Sequence, residues 1–567
     1  MSTATTIIPR AARTYQWTTG QRRSFAQPFP NAFLPSTHWV PAKIPFDANG
    51  NEAICRIYPR PDSECNAWAR HKWFYYDGTN QLSQVIPLGA RGGAWPYVWV
   101  IMAAPAQANA TIGSIYQGGM PGANYGGYGD LVVTPTGSFT NATFWVRAYG
   151  QDGDYLDFLW TASTTSSTTY FVFVDIVNGK STNAGTISAP IDGLETAFGS
   201  ASLDTTFPNA TLVMRSGTYP TFQQTGAGGG IQFSLGNSPG GIMAYPGDSP
   251  SIDITNGAGG FCFGWDSNVE DVFLQGLELV GVSAANANEA YRHFWPGSPT
   301  YRFMAHDLSF PNVYSGENQA NNSTSIYWSD PGLTNAYSQY IFLKALSETG
   351  RGSSSNPTNG QNYGIACMYG TSRGLAEFCS VSDSSATENV YLKASCLDWT
   401  RRANSLIMTP AAATGGFVLS TSNQVNDDGY SGNLEQCYNL VVNPEALTDS
   451  SLSFTTRLNA SAFDNADTNE WWYRNTVVGS ASVYQMSGNG PFQFEDEAIQ
   501  WGPGASGPIY YSVAGGNWSD ALPLPSMITN VGNTSCQAQT GVVDSTTYML
   551  TGTYRTQYLG QCGCEVE

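Results

Sequence analysis

Charge is scarce in this chain. Of 567 residues only 12% are Asp, Glu, Lys or Arg, with 24 basic side chains, 43 acidic ones and four histidines. The net charge of −19 argues against a nucleic-acid binder, which needs a basic face to meet phosphates. No apolar run reaches the ~18 residues of a membrane-spanning helix. Met1 to Gly20 hold no continuous apolar core, so no export leader is expected. No Ser-His-Asp elbow, phosphate loop or HExxH helix is present, which leaves most other enzyme classes without support. The ten cysteines fit no zinc ligand spacing, so neither metal nor cofactor is expected, and buried free thiols are favoured over disulfides. Cys562-Gly563-Cys564 reads as a chance pair in the tail, a metal or redox feature being the alternative.

What the chain has instead is glycine (61 residues), aromatics (13%) and many Ser, Thr and Asn, the composition of extended β structure with frequent turns. Residues 1–30 form a basic arm, since Arg10, Arg13, Arg22 and Arg23 all precede the first acid, Asp47. Such an arm ahead of an acidic body suits docking on an acidic partner surface, or is simply a solvated tail. Residues 31–160 read as a small β-sandwich-like domain, with strands expected around His71–Tyr76, Tyr97–Met102 and Thr143–Ala148. The Ser/Thr run within 161–170 reads as a linker. Residues 171–485 carry a repeat, and 486–567 a β-rich C-terminal element with strands expected at Ile509–Val513 and Thr547–Tyr554.

The repeat region opens with Phe171-Val172-Phe173-Val174, then Asn178-Gly179 and Asn183-Ala184-Gly185. Pro190 is set to start a helix whose Ile191, Leu194 and Phe198 share a face. Thr211–Tyr219 with Arg215-Ser216-Gly217-Thr218-Tyr219, then Tyr245-Pro246-Gly247, Pro250 and Ile252-Asp253, complete the stretch. This order resembles the opening of right-handed parallel β-helix proteins of the pectate-lyase-like superfamily. The resemblance implies a short helix plugging the first coil, because an uncapped solenoid exposes apolar core and sheet edge.

One unit then recurs: apolar, outward residue, small or turn residue, apolar. It appears as Leu274-Gln275-Gly276-Leu277, Ala305-His306-Asp307-Leu308, Leu343-Lys344-Ala345-Leu346, Phe378-Cys379-Ser380-Val381, Arg401-Arg402-Ala403 before Asn404, Cys437-Tyr438-Asn439-Leu440 and Tyr473-Arg474-Asn475-Thr476. The spacing of 24 to 38 residues fits one solenoid turn with or without an insertion. Gly276, Ala345, Asn404 and Asn475 should then stand in file along one axis. Arg401 is a charge where an apolar inward residue is expected, so either the alignment slips there or the turn opens locally.

Side chains alternate along a strand, so the second position of each unit should point outward. That column reads Gln275, His306, Lys344, Cys379, Arg402, Tyr438 and Arg474, and two residues earlier lie Phe342, Glu377 and Trp472. A groove for an anionic polysaccharide is expected on this face, with Arg and Lys holding carboxylates and aromatic rings meeting sugars. His306, Phe342, Tyr438, Trp472 and Arg474 are the candidate substrate contacts. The lyases of the resembling superfamily use Lys or Arg as base, which implies that role for Lys344 or Arg402, with Glu377 beside them. Hydrolysis by paired carboxylates is the alternative, with Asp383 and Glu388, Asp398, or Asp427 with Asp428 as candidates. A solvated stripe, or a face packed on a sister chain, is the plain alternative to both.

The layout as a whole resembles bacteriophage tailspikes and tail fibres. The expectation is an all-β fold: a right-handed parallel β-helix with a small N-terminal β domain and a β-rich C-terminal element. The resemblance implies a virion-attached homotrimer that binds host surface polysaccharide and cuts it as lyase or hydrolase, with the arm docked on a virion tail or capsid protein. A non-catalytic receptor-binding fibre and a bacterial polysaccharide lyase are the alternatives.

Overall fold

In the computed structural model the described residues are 58–59, 72–91, 95–113, 128–149, 155–199, 207–222, 231–233, 239–253, 261–265, 269–280, 292–296, 300–311, 323–328, 338–349, 362–368, 371–372, 374–382, 388–393, 399–407, 417–422, 434–443, 456–458, 470–479, 484–486, 492–501, 510–512, 516–518, 528–531, 536–538, 540–558 and 563–564. The chain divides into two units. The first is Met1–Tyr116 with Asn124–Ser166, the second Gln117–Ala123 with Ser167–Glu567.

The first unit holds a four-stranded sheet in the order Trp73–Tyr75, Tyr155–Thr165, Ala142–Tyr149, Val98–Ala103, and a three-stranded one in the order Gln84–Pro87, Asp130–Pro135, Ala108–Gly113. Alternation decides which side chains go in. Phe144, Val146 and Ala148 are buried, and Phe144 stacks on Trp160 at 5.4 Å with Phe74 at 5.3 Å. Thr161–Thr165, expected as linker, finish the long strand instead, because they pair with Ala142 and with Trp73–Tyr75.

The second unit is built from three columns of strands, called walls A, B and C in the order the chain visits them. Wall A has 13 strands, running from Phe171–Val174 through Val269–Gln275, Thr300–His306, Ser338–Lys344, Leu375–Glu377, Thr400–Arg402, Leu434–Cys437 and Glu470–Tyr473 to Ile528–Val531. Wall B has 11, from Gly217–Pro220 to Gln537–Ala538, and wall C 11, from Ile231–Phe233 to Tyr510–Ser512 with Gly516–Trp518 folded back antiparallel on it. All other pairings in these walls are parallel, each strand bonding the strand one coil away. This is a right-handed parallel β-helix. Coils continue past residue 485, through Phe492–Glu495, Ala498–Trp501 and Tyr510–Ser512. Thr547–Tyr554 is not a strand: Asp544 accepts the Thr546 and Thr547 amides in a turn, and a helix follows at Gly552–Tyr558.

The first coil is plugged by the helix Leu194–Phe198, which buries Leu194, Ala197 and Phe198. Pro190 does not start it. The Ile191 amide donates to Phe173 and its carbonyl accepts from Asp175, so Ile191 is held by the first strand. The Asn178-Gly179 turn needs glycine, since a Cβ there would lie 2.2 Å from the Ile191 carbonyl oxygen.

Walls A and B meet at a corner with one left-handed residue per coil: Gly276, Asp307, Ala345, Phe378, Ala403, Tyr438, Arg474 and Asp496, with φ from 52° to 68°. The next residue enters the interior corner: Leu277, Leu308 and Leu346, then Cys379, Asn404, Asn439, Asn475 and Glu497. Gly276 and Ala345 therefore stand in one file, and Asn404 and Asn475 in the adjoining one. From Asn404 on, the corner is a hydrogen-bond ladder. Asn404 Nδ2 donates to Asn439 Oδ1 at 3.0 Å, Asn439 Nδ2 to Asn475 Oδ1 at 3.0 Å, and Asn475 Nδ2 to Glu497 Oε1 at 2.8 Å.

The inward column of wall A is apolar at Leu274, Ala305, Leu343 and Ala376, then polar at Arg401 and Gln436, then apolar at Trp472 and Phe494. Arg401 therefore marks neither a slip nor an opened turn. It is buried inside the solenoid, where its Nε donates to Gln436 Oε1 at 2.6 Å.

The C-terminal tail returns onto the outer side of wall B. Cys564 donates its amide to Thr476 Oγ1 at 3.0 Å, and Val542 and Val543 donate theirs to Gln500 Oε1. A Cβ on Gly563 would lie 2.7 Å from Thr476 Oγ1 and 2.9 Å from the Ala498 Cβ, so this contact requires glycine.

Candidate functional site

The expected outward column on wall A exists, with a different membership. Register puts Gln275, His306, Lys344, Glu377, Arg402, Cys437 and Tyr473 in file, with Phe273, Met304, Phe342, Leu375, Thr400, Glu435 and Trp471 in the file beside it. His306, Lys344, Arg402 and Phe342 are placed as expected, and Glu377 joins the first file. Tyr438 and Arg474 are one residue further on, at the corner, where the Arg474 guanidinium lies 5.1 Å from the Tyr438 ring and donates to the Gly563 carbonyl at 3.3 Å. Trp472 points into the core beside Phe494, so it is no sugar platform. Asp383, Asp398, Asp427 and Asp428 lie outside the described residues. Glu388 opens a wall C strand, in register with Tyr363 and Phe417, far along the coil from Glu377 in chain order.

The wall A face is not an open groove. Lys344 and Phe342 are 0% exposed, Glu377 and Arg402 2%, and His306 4%. Around Glu377 a sealed ionic cluster forms. Arg402 Nη2 donates to Glu377 Oε2 at 2.5 Å, and Lys344 Nζ stands 4.0 Å from Oε1. One coil beyond Arg402, Glu435 accepts from Thr400 at 2.8 Å and from the Tyr473 hydroxyl at 2.7 Å. At the other end Gln275 Nε2 donates to His306 Nδ1 at 2.9 Å. Burial, with Glu435 adding to it, pushes the Cys437 thiol well above its ordinary range, and burial does the same to the Tyr473 phenol. Burial lifts the Cys379 thiol to about 12. Lys344, Arg402 and Glu377 thus lie in a buried layer, with Glu435 one coil further on. Thr400 takes the expected flanking file, whereas Glu435 and Tyr473 were missed because the recurring unit shifts by one or two residues at Phe378, Tyr438 and Arg474.

Wall C repeats the two-residue alternation on its own strands. Phe263 is buried in the core, and Phe294, Ile326, Ile365, Val390 and Leu419 share its file. The alternate file, on the opposite face of the sheet, runs Gly264, Trp295, Tyr327, Ala366, Tyr391, Ser420, Arg457, Gln485 and Tyr511. Lys393, two positions beyond Tyr391, belongs to the same face and sits between Met368 and Ser422. Aromatic residues recur in this register file at Trp295, Tyr327, Tyr391 and Tyr511, and basic ones at Arg457 and, two positions along, Lys393. Among the described residues no group of three or more His, Cys, Asp or Glu could hold a metal ion.

The chain is similar to several solved structures. It is 11% identical to the pectate lyase Pel9A, with a TM-score of 0.44, over 71% of this chain and 97% of that one. A GH136 lacto-N-biosidase from Eubacterium ramulus is 13% identical, with a TM-score of 0.32, over 60% and 67% of the two chains. The catalytic domain of a GH87 α-1,3-glucanase in complex with nigerose is 10% identical, with a TM-score of 0.30, over 82% and 88%. These likenesses concern the path of the chain alone. No family model and no curated protein sequence matches it.

Proposed function

We propose that the β-helix is carbohydrate-active and that wall C holds its glycan. The observation that carries this reading is the register file that places Trp295, Tyr327 and Tyr391 on one face in successive or alternate coils, with Lys393 and Arg457 on the same face. Coils rise by ~4.8 Å, so such a file presents flat apolar rings at intervals along the axis. Rings of this kind meet the apolar faces of sugars, and the two basic residues meet carboxylates. The basic function once expected of Lys344 and Arg402 falls to Lys393 and Arg457, because the wall A cluster is sealed.

The finer reading is a virion-attached spike, a homotrimer whose basic arm docks on a virion protein and whose β-helix degrades host surface polysaccharide. Its support is the order of parts in the chain: an arm with four arginines before the first acid, a small β unit, then the solenoid. One assay separates the outcomes. Incubation with host capsule that raises ultraviolet absorbance marks a lyase, and reducing ends without absorbance mark a hydrolase. Retained cell binding with neither marks a receptor-binding fibre. Replacing Trp295 and Tyr391 by Ala should abolish capsule retention, and unchanged retention removes wall C as the site.

A further inference from the structure

The exposed apolar surface among the described residues is gathered on the first unit. Of the five large hydrophobic side chains that stand exposed, four belong to its four-stranded sheet: Val98, Val100, Met102 and Leu159. Alternation gives them a common face, because Trp99, Phe144, Val146, Phe158 and Trp160 turn into the core and the residues between them turn away. Register orders that face in rows across three strands: Val98, Tyr149 and Tyr155, then Val100, Arg147 and Asp157, then Trp145 beside Leu159. Leu159 is 53% exposed although Trp145 is its neighbour. Trp145, Arg147 and Tyr149 are partly exposed.

The chemistry of this face selects a protein. The Arg147 guanidinium lies 5.4 Å from the Trp145 ring and 5.6 Å from the Tyr149 ring, and it donates to the Tyr149 hydroxyl at 3.2 Å. The cation fills the space between the two rings, so a sugar finds no open ring face there. Trp, Tyr, Arg and Met are the residues that concentrate at protein interfaces. The edge strand is bulged between Ile101 and Ala103, which disfavours the addition of another strand and leaves the face as the contact.

The face is also complementary to itself. Its one base and one acid, Arg147 and Asp157, stand side by side in the middle row. A two-fold axis lying between two such faces, parallel to the strands and midway between Ala142–Tyr149 and Tyr155–Thr165, sets Arg147 over the partner's Asp157. The same axis sets Trp145 over the partner's Leu159 and Tyr149 over the partner's Tyr155, and it makes each contact twice. Opposite charges meet, and rings meet apolar groups. Sheets packed in this way lie aligned at ~10 Å. Three strands over five residues cover roughly 14 Å by 17 Å. That is less than the ~800 Å² per partner of a standard interface, so the association is weak and concentration-dependent.

We propose that this sheet face joins two copies of the chain about a two-fold axis. The contact is independent of the wall C reading. A two-fold contact cannot close a ring of three, so it doubles whatever assembly the chain otherwise forms. The test is sedimentation equilibrium of the full chain over a range of concentration, and the apparent mass should rise toward twice its low-concentration value. Leu159→Lys, at an exposed position, should raise the dissociation constant for this doubling about tenfold or more. Arg147→Asp sets acid over acid and Asp157→Arg sets base over base, so neither variant should double alone. Their equimolar mixture restores opposite charges at both contacts and should double again, an outcome that an ion pair within one chain cannot produce. Native circular dichroism checks that each variant folds. A mass that does not change with concentration overturns the proposal. So does a Leu159→Lys variant that doubles like the parent chain, or a mixture that behaves as its two components do. A lowered unfolding temperature for Leu159→Lys with unchanged mass assigns the face to a contact within the chain and overturns it as well. Trp295→Ala with Tyr391→Ala should leave the doubling unchanged, so failure of the wall C reading and failure of this one are told apart.

Discussion

The two ends of the solenoid solve the same packing problem with different chemistry. In the coils from Val269 to Leu346, the corner is filled by Leu277, Leu308 and Leu346, the inward wall A file by Leu274, Ala305 and Leu343, and the outer files by Phe273, Met304 and Phe342 beside Gln275, His306 and Lys344. In the coils from Thr400 to Glu497, the corner is an Asn ladder, the interior takes Arg401 and Gln436, and the outer files hold Arg402, Glu435 and Tyr473. Apolar contacts are non-directional and tolerate repacking. Buried hydrogen bonds do not, because each fixes the position of one coil against the next. The early coils should therefore yield gradually to substitution, and the later coils sharply.

The largest break should come at the ionic cluster. Glu377→Leu leaves Lys344 and Arg402 buried without their shared carboxylate and should cost about 3–5 kcal/mol in denaturant unfolding. A cost near zero would mean that the cluster is solvated. Next is Asn439→Leu, which strands the Asn404 amide and the Arg401 carbonyl. It should cost about 2–4 kcal/mol, from two or more buried groups left unsatisfied, although it adds apolar volume. The reciprocal Leu308→Asn should also destabilise, since no ladder partner waits there. If it is neutral, the contrast between the two regions fails.

The interior pair sharpens the comparison. Arg401→Met with Gln436→Leu should be neutral or stabilising, because apolar replacements of a buried polar pair often are, whereas Arg401→Met alone should cost about 1–3 kcal/mol by orphaning Gln436 Oε1. A double-mutant cycle measures the coupling.

The smallest effects lie in pH, with opposite signs at the two ends. For Asp175 in the first coil, burial raises the pKa, but bonds from Asn178 and Val177 and the charge of Arg215 outweigh it, so the net shift is downward. That stability is present above the unfolded carboxylate value of about 3.9 and is lost as pH falls. For Cys437 and Tyr473 the folded values are raised, so their contribution is full below the unfolded values of about 8.5 and 10 and is lost as pH rises. Hydrogen exchange followed by region should show the plugged end loosening first in acid and the ladder end first in alkali. The same region failing at both extremes would contradict this.

The early coils were legible because their corners use the residues a turn is expected to use. Gly276 and Asp307 accept the left-handed conformation, and a leucine follows. Phe378, Tyr438 and Arg474 then put bulky residues at that position, and asparagine stands one place later at Asn404, Asn439 and Asn475. Asn404, Asn439 and Asn475 look like turn residues but are interior ladder rungs, and reading them as turns moved the expected stripe onto Tyr438 and Arg474. The second shortfall has another cause. Strand alternation tells which face a residue takes, not whether that face is covered, so Lys344 and Arg402 were assigned to the right face and the wrong environment. Wall C's file was within reach, since the sequence Asn389–Ala394 itself has the pattern of a strand, but without register its partners Trp295 and Tyr327 could not be aligned with it.

The ladder has a direction. Each asparagine amide passes a proton donor to the next coil, and Glu497, as a carboxylate, receives from Asn475 and has none to pass on. Such a chain could lengthen by duplicating a coil anywhere upstream of that residue and keep every rung matched. A coil inserted directly after it would find no amide to continue the row, which makes Glu497 the last rung of the ladder and leaves its growth to the other side.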